Sequence, residues 1–226
     1  MPDLNFSVDG AEAVSYAVSP LLSFKLRIRN ASPEETIQSV ALRCQIQIEP
    51  TKRKYSTTEQ AQLFELFGEP ERWGQTLRSM LWTHTSAMVP PFRDETVVDL
   101  PVPCTFDFNI AAAKYFAGLE DGLVPLNLMF SGTVFFETND TGLQVEQISW
   151  DKETHFKLPV RVWFDMMEHY YPNTAWLCLR RDVFERLHRY KVERAIPTWE
   201  QALESIIPPP ERSDDEEVAI EGSLPS

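Results

Sequence analysis

Hydrophobic and polar residues alternate with a period of two over much of the N-terminal three quarters of the chain. Leu22–Arg29 and Val40–Glu49 show the pattern most clearly, with apolar side chains on one face and polar side chains on the other. This alternation is typical of a β-strand that is buried on one face. Residues 30–35 between the two segments have turn composition, so we predict that the segments form an antiparallel pair.

Further strands are predicted on both sides of this pair, and Asn, Asp and Gly at 139–142 predict a hairpin that joins two of them. No repeating strand–helix pattern is present, so the predicted fold class is mainly β, an antiparallel β-sandwich. The additional predicted strands are Phe6–Ser19, Trp82–Val89, Thr96–Pro103, Phe106–Tyr115, Leu126–Glu137, Leu143–Trp150 and His155–Trp163.

Two regions show helical signals instead. Ser56 and Glu59 have the spacing of a capping box, which predicts a short helical insertion at about 56–80. C-terminal helices are predicted at about 164–207, with Asp182 as one N-cap and Thr198 as another. We therefore expect a single β-sandwich domain at 1–207 that includes a C-terminal helical segment.

The remaining residues, 208–226, begin with three prolines and continue with Asp214–Glu217, a run of four acidic residues. This composition cannot bury a core, which predicts a disordered acidic tail.

The whole chain has a formal net charge of −13, which disfavours binding to nucleic acid or to an anionic membrane surface. No apolar stretch reaches the ~20 residues that a membrane-spanning helix needs, so no membrane insertion is predicted. The N-terminus has no secretory signal pattern, and a cytoplasmic location is expected.

Motifs that bind cofactors or carry out catalysis are missing from the sequence. The three cysteines are far apart, and neither a phosphate-binding glycine loop nor a nucleophile-elbow motif is present. We predict no cofactor, no catalytic residues and no metal site, and the sequence favours a protein that is not an enzyme.

The strongest metal or acid–base candidates are Asp165, Glu168 and His169, which helical spacing places on one face. His84 lies among hydroxyl residues of a predicted strand and is a weaker candidate. A solvated helix face and cross-strand hydrogen bonding explain the same residues without a metal or a reaction.

Two groups of residues are candidates for binding a protein partner. A basic helix on an acidic protein could dock an acidic partner or the protein's own tail, or it could be an ordinary solvated face. An aromatic run at 166–176 either closes one end of the sandwich or forms an exposed anchor patch. The candidate residues are Arg180, Arg181, Arg186, Arg189, Lys191, Arg194, Tyr170, Tyr171 and Trp176.

Several strings, Leu63–Arg78, Leu81–Thr85, Val102–Asn109 and His169–Asn173, resemble an uncharacterised bacterial family, the domain of unknown function DUF6084. The resemblance covers residues 4–207. It implies that relatives are encoded beside genes for high-affinity [NiFe]-hydrogenases. An accessory role in hydrogenase assembly, maturation or tethering is what this gene neighbourhood implies.

The partner implied by the resemblance is a hydrogenase subunit or assembly factor, whereas the oligomeric state is left open. The missing cysteine pairs argue against direct metal delivery and leave a scaffold or chaperone role. A cryptic metal-binding protein or enzyme, and a carrier of a small apolar ligand, are the alternatives.

Overall fold

The structure is a computed structural model that describes residues 2–32, 35–105, 110–138, 142–175, 177 and 179–208. The chain divides into two compact units, the first spanning Met1–Ala175 and the second beginning at Trp176. The prediction that 1–207 form one domain stays a prediction. Of the predicted acidic tail, residues 209–226 lie outside the described residues. Within the described parts of the chain, no helix combines the length and the apolarity that crossing a membrane needs.

The described strands all belong to the first unit. They are β1 (Leu4–Ala13), β2 (Leu21–Asn30), β3 (Thr36–Ile48), β4 (Met80–Val89), β5 (Glu95–Pro103), β6 (Leu123–Thr138), β7 (Gly142–Gln147) and β8 (Glu153–Pro159).

The described helices are short and are divided between the two units. The first unit contains α1 (Thr57–Gln62), α2 (Phe64–Phe67), α3 (Trp73–Thr76), α4 (Ile110–Ala117) and α5 (Val160–Tyr170). The second unit contains α6 (Arg181–Glu193) and α7 (Trp199–Glu204).

The strands form two antiparallel sheets, which confirms the predicted mainly β fold class. One sheet has the order β1-β2-β5, and the other has the order β4-β3-β6-β7, with β8 also paired to β6. Aromatic rings join the inner faces of the two sheets: Phe6 of β1 stacks on Phe130 of β6 at 4.2 Å between ring centroids, and Phe24 of β2 contacts Trp82 and Phe156. These contacts form a continuous core between two layers, as in a β-sandwich.

The predicted pairing of Leu22–Arg29 with Val40–Glu49 is wrong. The corresponding strands β2 and β3 lie in different sheets, where β2 pairs with β1 and β5, and β3 pairs with β4 and β6. Each strand is central in its own sheet and pairs with a neighbour on both edges, and its apolar side chains are buried. The turn-like connection therefore leads from one layer to the other and not around a hairpin.

Two predicted strands are also partly helical. In the predicted strand Phe106–Tyr115, the described residues from Ile110 onward belong to α4, where Ala112, Tyr115 and Phe116 are buried at helical spacing. The predicted strand His155–Trp163 ends at Pro159, and α5 begins at Val160. In both places the apolar residues fit a period of two as well as a helical period, and packing against the core decides between them.

The long strand β6 pairs with three other strands of the larger sheet. One side of it pairs with β3 over nearly its whole length, while its other side is divided between β8 at Leu123–Met129 and β7 at Thr133–Thr138. The predicted hairpin between β6 and β7 is confirmed by this pairing, although its turn residues 139–141 lie outside the described residues. Between the two partners, Gly132 has a φ of +139°, and a Cβ at this position would lie 2.1 Å from the Ala41 carbonyl oxygen.

Helix starts follow the capping predictions in two of three cases. Ser56 and Glu59 form the reciprocal capping box at the start of α1, and Thr198 accepts the Gln201 N–H at the start of α7. Asp182 is not the N-cap of α6, because Arg180 occupies that position without a side-chain cap. Asp182 instead lies in the first turn, where its charge interacts favourably with the helix dipole.

Candidate interaction surface

Helix α6 carries the predicted basic cluster and has two different faces. Val183, Leu187 and Tyr190 are half-buried, as the sequence predicts, and the Tyr190 hydroxyl lies 3.0 Å from the Ser205 hydroxyl just after α7. Phe184 and Val192, by contrast, are 47% and 62% exposed. The helix therefore displays apolar as well as charged side chains to solvent.

The cations of this cluster differ in the groups that they contact. Arg180 pairs with Asp182, and Arg181 pairs with Glu185, each at 3.0 Å. Arg194 lies over the ring of Tyr190 at 4.6 Å, and Lys191 lies over the ring of Trp199 at 5.5 Å. These four cations are thus engaged with carboxylates or aromatic faces of the second unit.

Arg186 and Arg189 are the exception. Both are exposed, and within the described residues neither forms a salt bridge or a cation–π contact. They are three positions apart and are therefore neighbours on the helix surface. Arg189 also lines an open groove of about 490 Å³, together with Phe184, Glu185, His188, Val192 and Glu193. We call three of the exposed residues, Arg186, Arg189 and Val192, the exposed face of α6. Phe184, two positions from Arg186, lies on another side of the helix and lines the same groove as Arg189.

The metal and acid–base candidates on α5 are engaged separately. Asp165 pairs with Arg161 at 3.2 Å, Glu168 accepts the backbone N–H of Asn173, and His169 lies 3.1 Å from the Ser15 carbonyl oxygen. Among the residues that the structure describes, no group of three or more His, Cys, Asp and Glu side chains has the arrangement of a metal site.

His84 lies on the solvent face of β4, where its Nε2 is 3.2 Å from the side-chain oxygen of Gln45 on β3. This is the cross-strand hydrogen bonding that the sequence left as the alternative to a metal or a reaction.

The aromatic candidates at the end of α5 belong mainly to the core. Met166 and Met167 are buried, and Tyr170 and Tyr171 are half-buried and pack against the core. The Tyr170 hydroxyl donates to the Val14 carbonyl at 2.6 Å and accepts the Ala17 N–H at 3.0 Å, so it fastens the connection between β1 and β2 to α5. The third aromatic candidate, Trp176, lies outside the described residues.

Three fully or almost fully exposed apolar side chains of the first unit were not predicted from the sequence. Tyr16 and Val18 project from the connection that Tyr170 holds, and Trp150 is 93% exposed between β7 and β8. Val14, Tyr16 and Val18 follow a period of two, and the first predicted strand, Phe6–Ser19, includes them. In the structure, β1 ends at Ala13, and these side chains are on a loop.

A cleft of about 490 Å³ next to α1 has mixed charge, with Lys52, Lys54 and Lys157 near Glu120 and Asp121. At its base lies the ion pair of Arg53 and Glu59, whose side chains are only 7% and 5% exposed. Arg53 also donates to the carbonyls of Leu123 and Asp121. The pair joins α1 to the chain before β6, which is a structural role.

The electrostatics of this pair centre on Glu59. Burial by itself raises the pKa of the Glu59 carboxyl, but hydrogen bonds from the N–H groups of Glu120 and Ser56 and from Arg53 outweigh it. The pKa is held below its ordinary value of 4.5 as a result.

An apolar cavity near the core is too small for a ligand. It is lined by Trp82, Cys104, Phe116 and Trp163 among others, and its volume of about 10 Å³ has room for one water molecule at most. Burial raises the pKa of the Cys104 thiol, and that of the Cys44 thiol, to about 12, so both thiols stay protonated.

The whole-chain comparison with protein families matches residues 1–215 to the family of unknown function DUF6084. The chain belongs to this family. DUF6084 carries no description of activity, so membership defines relatives but no reaction. No curated protein matches the chain.

Solved structures give only distant similarities. A solution structure assigned as a late embryogenesis abundant (LEA) protein is 16% identical, with a TM-score of 0.29, and the match covers 70% of this chain and 72% of that one. A crystal structure assigned as the ApaA protein of Bordetella pertussis is 14% identical, with a TM-score of 0.24 and coverage of 70% and 95%. A crystal structure of a protein from Archaeoglobus fulgidus is 13% identical, with a TM-score of 0.25 and coverage of 67% and 97%.

Proposed function

We propose that this DUF6084 protein is a non-enzymatic interaction protein that docks an acidic surface of a protein partner on helix α6. The observation that carries the proposal is the exposed face of α6, where neither Arg186 nor Arg189 forms a salt bridge among the described residues. Arg189 shares an open groove with exposed Phe184 and Val192, and Glu185 and Glu193 also line that groove. Arginine and aromatic side chains together are the composition of binding hot spots. An acidic face with a small apolar centre is the complementary partner surface.

The charge distribution of the chain supports this choice of partner. Residues 180–194 contain six cationic and three acidic side chains, a local formal charge of +3 in a chain whose net charge is −13. A local positive region on an acidic protein steers it towards acidic partner surfaces, while the remaining surface repels them and so selects the docking orientation.

For the identity of the partner we propose a [NiFe]-hydrogenase subunit or a hydrogenase assembly factor. The support comes from the family resemblance, which implies that relatives lie near hydrogenase genes. An accessory role in assembly, maturation or tethering needs a docking surface and no reaction centre, and the exposed face of α6 meets that need.

Affinity purification tests both statements. Tagged protein is recovered from the native host under conditions that induce hydrogenase, and the eluate is analysed by mass spectrometry. We expect a hydrogenase subunit or assembly factor with the wild type, and at least a five-fold lower yield of it with Arg186→Glu/Arg189→Glu, because the two charges then repel an acidic surface.

The matched control changes the same charges elsewhere. Arg72 and Arg161 are exposed arginines of the first unit, and Arg72→Glu/Arg161→Glu should leave the yield unchanged. An eluate without hydrogenase components would contradict the proposed partner. Equal losses with both double variants would contradict the docking role of α6.

Metal analysis of the same eluate tests the alternative function. Stoichiometric metal that is lost with His169→Ala would favour the metal-binding alternative over the interaction role.

A further inference from the structure

We propose that the outer face of the larger sheet holds a binding site for a phosphate group, centred on Arg43 of β3. The site belongs to the first unit and is independent of the proposed docking on α6. Arg43 is exposed, while its neighbours Leu42 and Cys44 are buried on the opposite face of the strand. Among the described residues its guanidinium forms no ion pair and no hydrogen bond, in a chain with 34 acidic residues and 21 lysines and arginines.

The sheet register places a serine on each side of this cation. Arg43 lies directly opposite Ser86 of β4 and directly opposite Ser131 of β6. Residues in such positions point to the same face of an antiparallel sheet, with Cβ atoms about 4.5–5.5 Å apart. Both serines are exposed, and neither hydroxyl has a hydrogen-bond partner within the described part of the chain. One cation and two hydroxyl groups therefore stand in a row across three strands.

The adjacent row of side chains adds a further donor. Gln45 lies opposite His84, and His84 Nε2 is 3.2 Å from the side-chain oxygen of Gln45. With this oxygen accepting from the ring N–H, the side-chain N–H groups of Gln45 remain available as donors. Residues of both rows line one open hollow of about 450 Å³ on the sheet surface.

The lining of this hollow differs from that of the cleft next to α1 and that of the groove on α6. Both of those combine cations with carboxylates. No carboxylate of the described residues lines the hollow on the sheet, so an anion there meets a cation and several donors without an acidic neighbour in the lining. The lining residues are Arg43, Cys44, Gln45, His84, Thr85, Ser86 and Ser131.

Glu153 and Asp151 lie near this face but do not line the hollow. Glu153 of β8 is opposite Met129, which is opposite Gln45, so two strand spacings, roughly 10 Å, separate Glu153 from Gln45. Asp151 is in the connection between β7 and β8, where the Ser149 hydroxyl donates to it. The Debye length is about 8 Å at physiological ionic strength, so salt screens much of the repulsion at such distances. These carboxylates reduce the affinity for an anion without blocking the site.

The arrangement of the donors favours a phosphate group over a carboxylate. A guanidinium binds both oxygens of a planar carboxylate by itself, which would leave the serine hydroxyls unused. A phosphate monoester has three terminal oxygens in a tetrahedral arrangement, so two can bind Arg43 while the third accepts from Ser86 or Ser131. Because the hollow is open and few other contacts contribute, we expect a dissociation constant on the order of 1–10 mM.

NMR titration of the ¹⁵N-labelled full-length protein tests the site. The probes are inorganic phosphate, N-acetyl-O-phosphoserine amide and acetate, each added at constant ionic strength. We expect saturable shifts of the backbone amides of Gln45, His84, Ser86 and Ser131 with both phosphates, and about five-fold weaker binding of acetate. Arg43→Gln should weaken phosphate binding about ten-fold, and Ser86→Ala/Ser131→Ala about three-fold.

Arg72→Gln is the matched control, because it removes an exposed arginine of the first unit that does not line the hollow, and it should leave the affinity unchanged. The serine double variant keeps the cation, so its loss reports hydrogen bonding and not charge. Tighter binding of the phosphoserine derivative than of inorganic phosphate would support a phosphorylated polypeptide as the ligand, and the reverse would support free phosphate. No saturable shift up to about 50 mM phosphate, equal affinity for acetate, or equal effects of Arg43→Gln and Arg72→Gln would overturn the site.

Discussion

At the scale of single residues, the buried ion pair of Arg53 and Glu59 is an interaction that we expect to be sensitive to substitution. Both side chains are almost inaccessible, and Glu59 also accepts the N–H groups of Ser56 and Glu120. Arg53 is thus the counterion for a carboxylate that α1 needs for its capping box. A single charge change here affects a helix start and the chain segment that leads into β6.

We expect Arg53→Met to lower the free energy of unfolding by about 3 kcal/mol, because it leaves the Glu59 carboxylate buried without a counterion. Arg53→Met/Glu59→Gln should recover part of this loss, since the neutral amide still accepts the cap N–H. Urea unfolding at pH 7 measures both. A double variant that is as unstable as the single one would show that lost packing, and not the uncompensated charge, sets the cost.

The same pair gives a pH dependence. The pKa of Glu59 in the folded protein lies below its ordinary value of 4.5, so its contribution to stability is present above pH 4.5 and is lost as the pH falls through the folded-state pKa. Wild-type stability should therefore decrease on acidification below pH 4.5. In Arg53→Met this decrease should be shallower, because the removal of Arg53 brings the folded-state pKa closer to the ordinary one.

Single residues show which side-chain placements the sequence predicts and which it does not. Arg186 and Arg189 were recognisable because helical spacing and charge identify an exposed face directly. The sequence left Tyr170 open between a core role and a surface role, since an aromatic ring with a hydroxyl is suited equally to an interface and to a half-buried hydrogen bond. Tyr16 and Val18 were missed because a short alternating run on a loop is indistinguishable from the end of a strand.

At the scale of elements, the contact between β3 and β6 depends on one glycine. Gly132 combines a φ of +139° with a position where a Cβ would lie 2.1 Å from the backbone of Ala41. Residues other than glycine rarely adopt this backbone conformation. The Ala41 carbonyl oxygen belongs to the backbone and cannot move away as the end of a flexible side chain can. The glycine lies between the segment of β6 that pairs with β8 and the segment that pairs with β7.

We expect Gly132→Ala to lower the free energy of unfolding by about 3 kcal/mol, through backbone strain and overlap with Ala41. Gly10 provides the control, because a Cβ there meets no atom within 4 Å, and Gly10→Ala should change stability by less than ~1 kcal/mol. The midpoints of urea unfolding of both variants, compared with that of the wild type, measure these changes in stability. Similar midpoints for both would mean that β6 can shift to accommodate the methyl group.

The positions of the strands were largely predictable from the sequence, whereas the pairing between strands was not. Alternation located β2 and β3 because each has one buried face, but no local signal states which strands pair across distant parts of the chain. The short connection after β2 suggested a hairpin, although the second strand belongs to the other layer. α4 was predicted as a strand because its apolar residues satisfy both periods over a short run, and only burial of Tyr115 and Phe116 resolves the ambiguity.

At the scale of the whole molecule, the two described cysteines report on global opening. Cys44 and Cys104 are buried in the core, and burial raises the pKa of each thiol to about 12. The thiolate is the species that alkylating reagents attack, so both burial and protonation prevent reaction in the folded protein. We expect both residues to resist iodoacetamide at pH 8 in the native state and to react together on unfolding.

Residue-resolved mass spectrometry of alkylated protein along a urea series measures this. Since Cys44 is on β3 and Cys104 follows β5, the two residues sample both sheets. Coincident modification at the midpoint of unfolding would indicate that the sandwich opens as one cooperative unit. Earlier modification of either cysteine would contradict this and would identify the less stable sheet.

The strand order also has a consequence for biosynthesis. β3 has β6 as a neighbour, and Cys44 lies opposite Phe130, more than 80 residues later in the chain. At a translation rate of about 5–20 residues per second, the edge of β3 that pairs with β6 stays unpaired for roughly 4–17 s before Phe130 is made. The nascent chain therefore carries an unpaired strand edge, with free N–H and C=O groups, during much of its synthesis. Its yield in the cell should depend on chaperones that act during translation, independently of how stable the finished sandwich is.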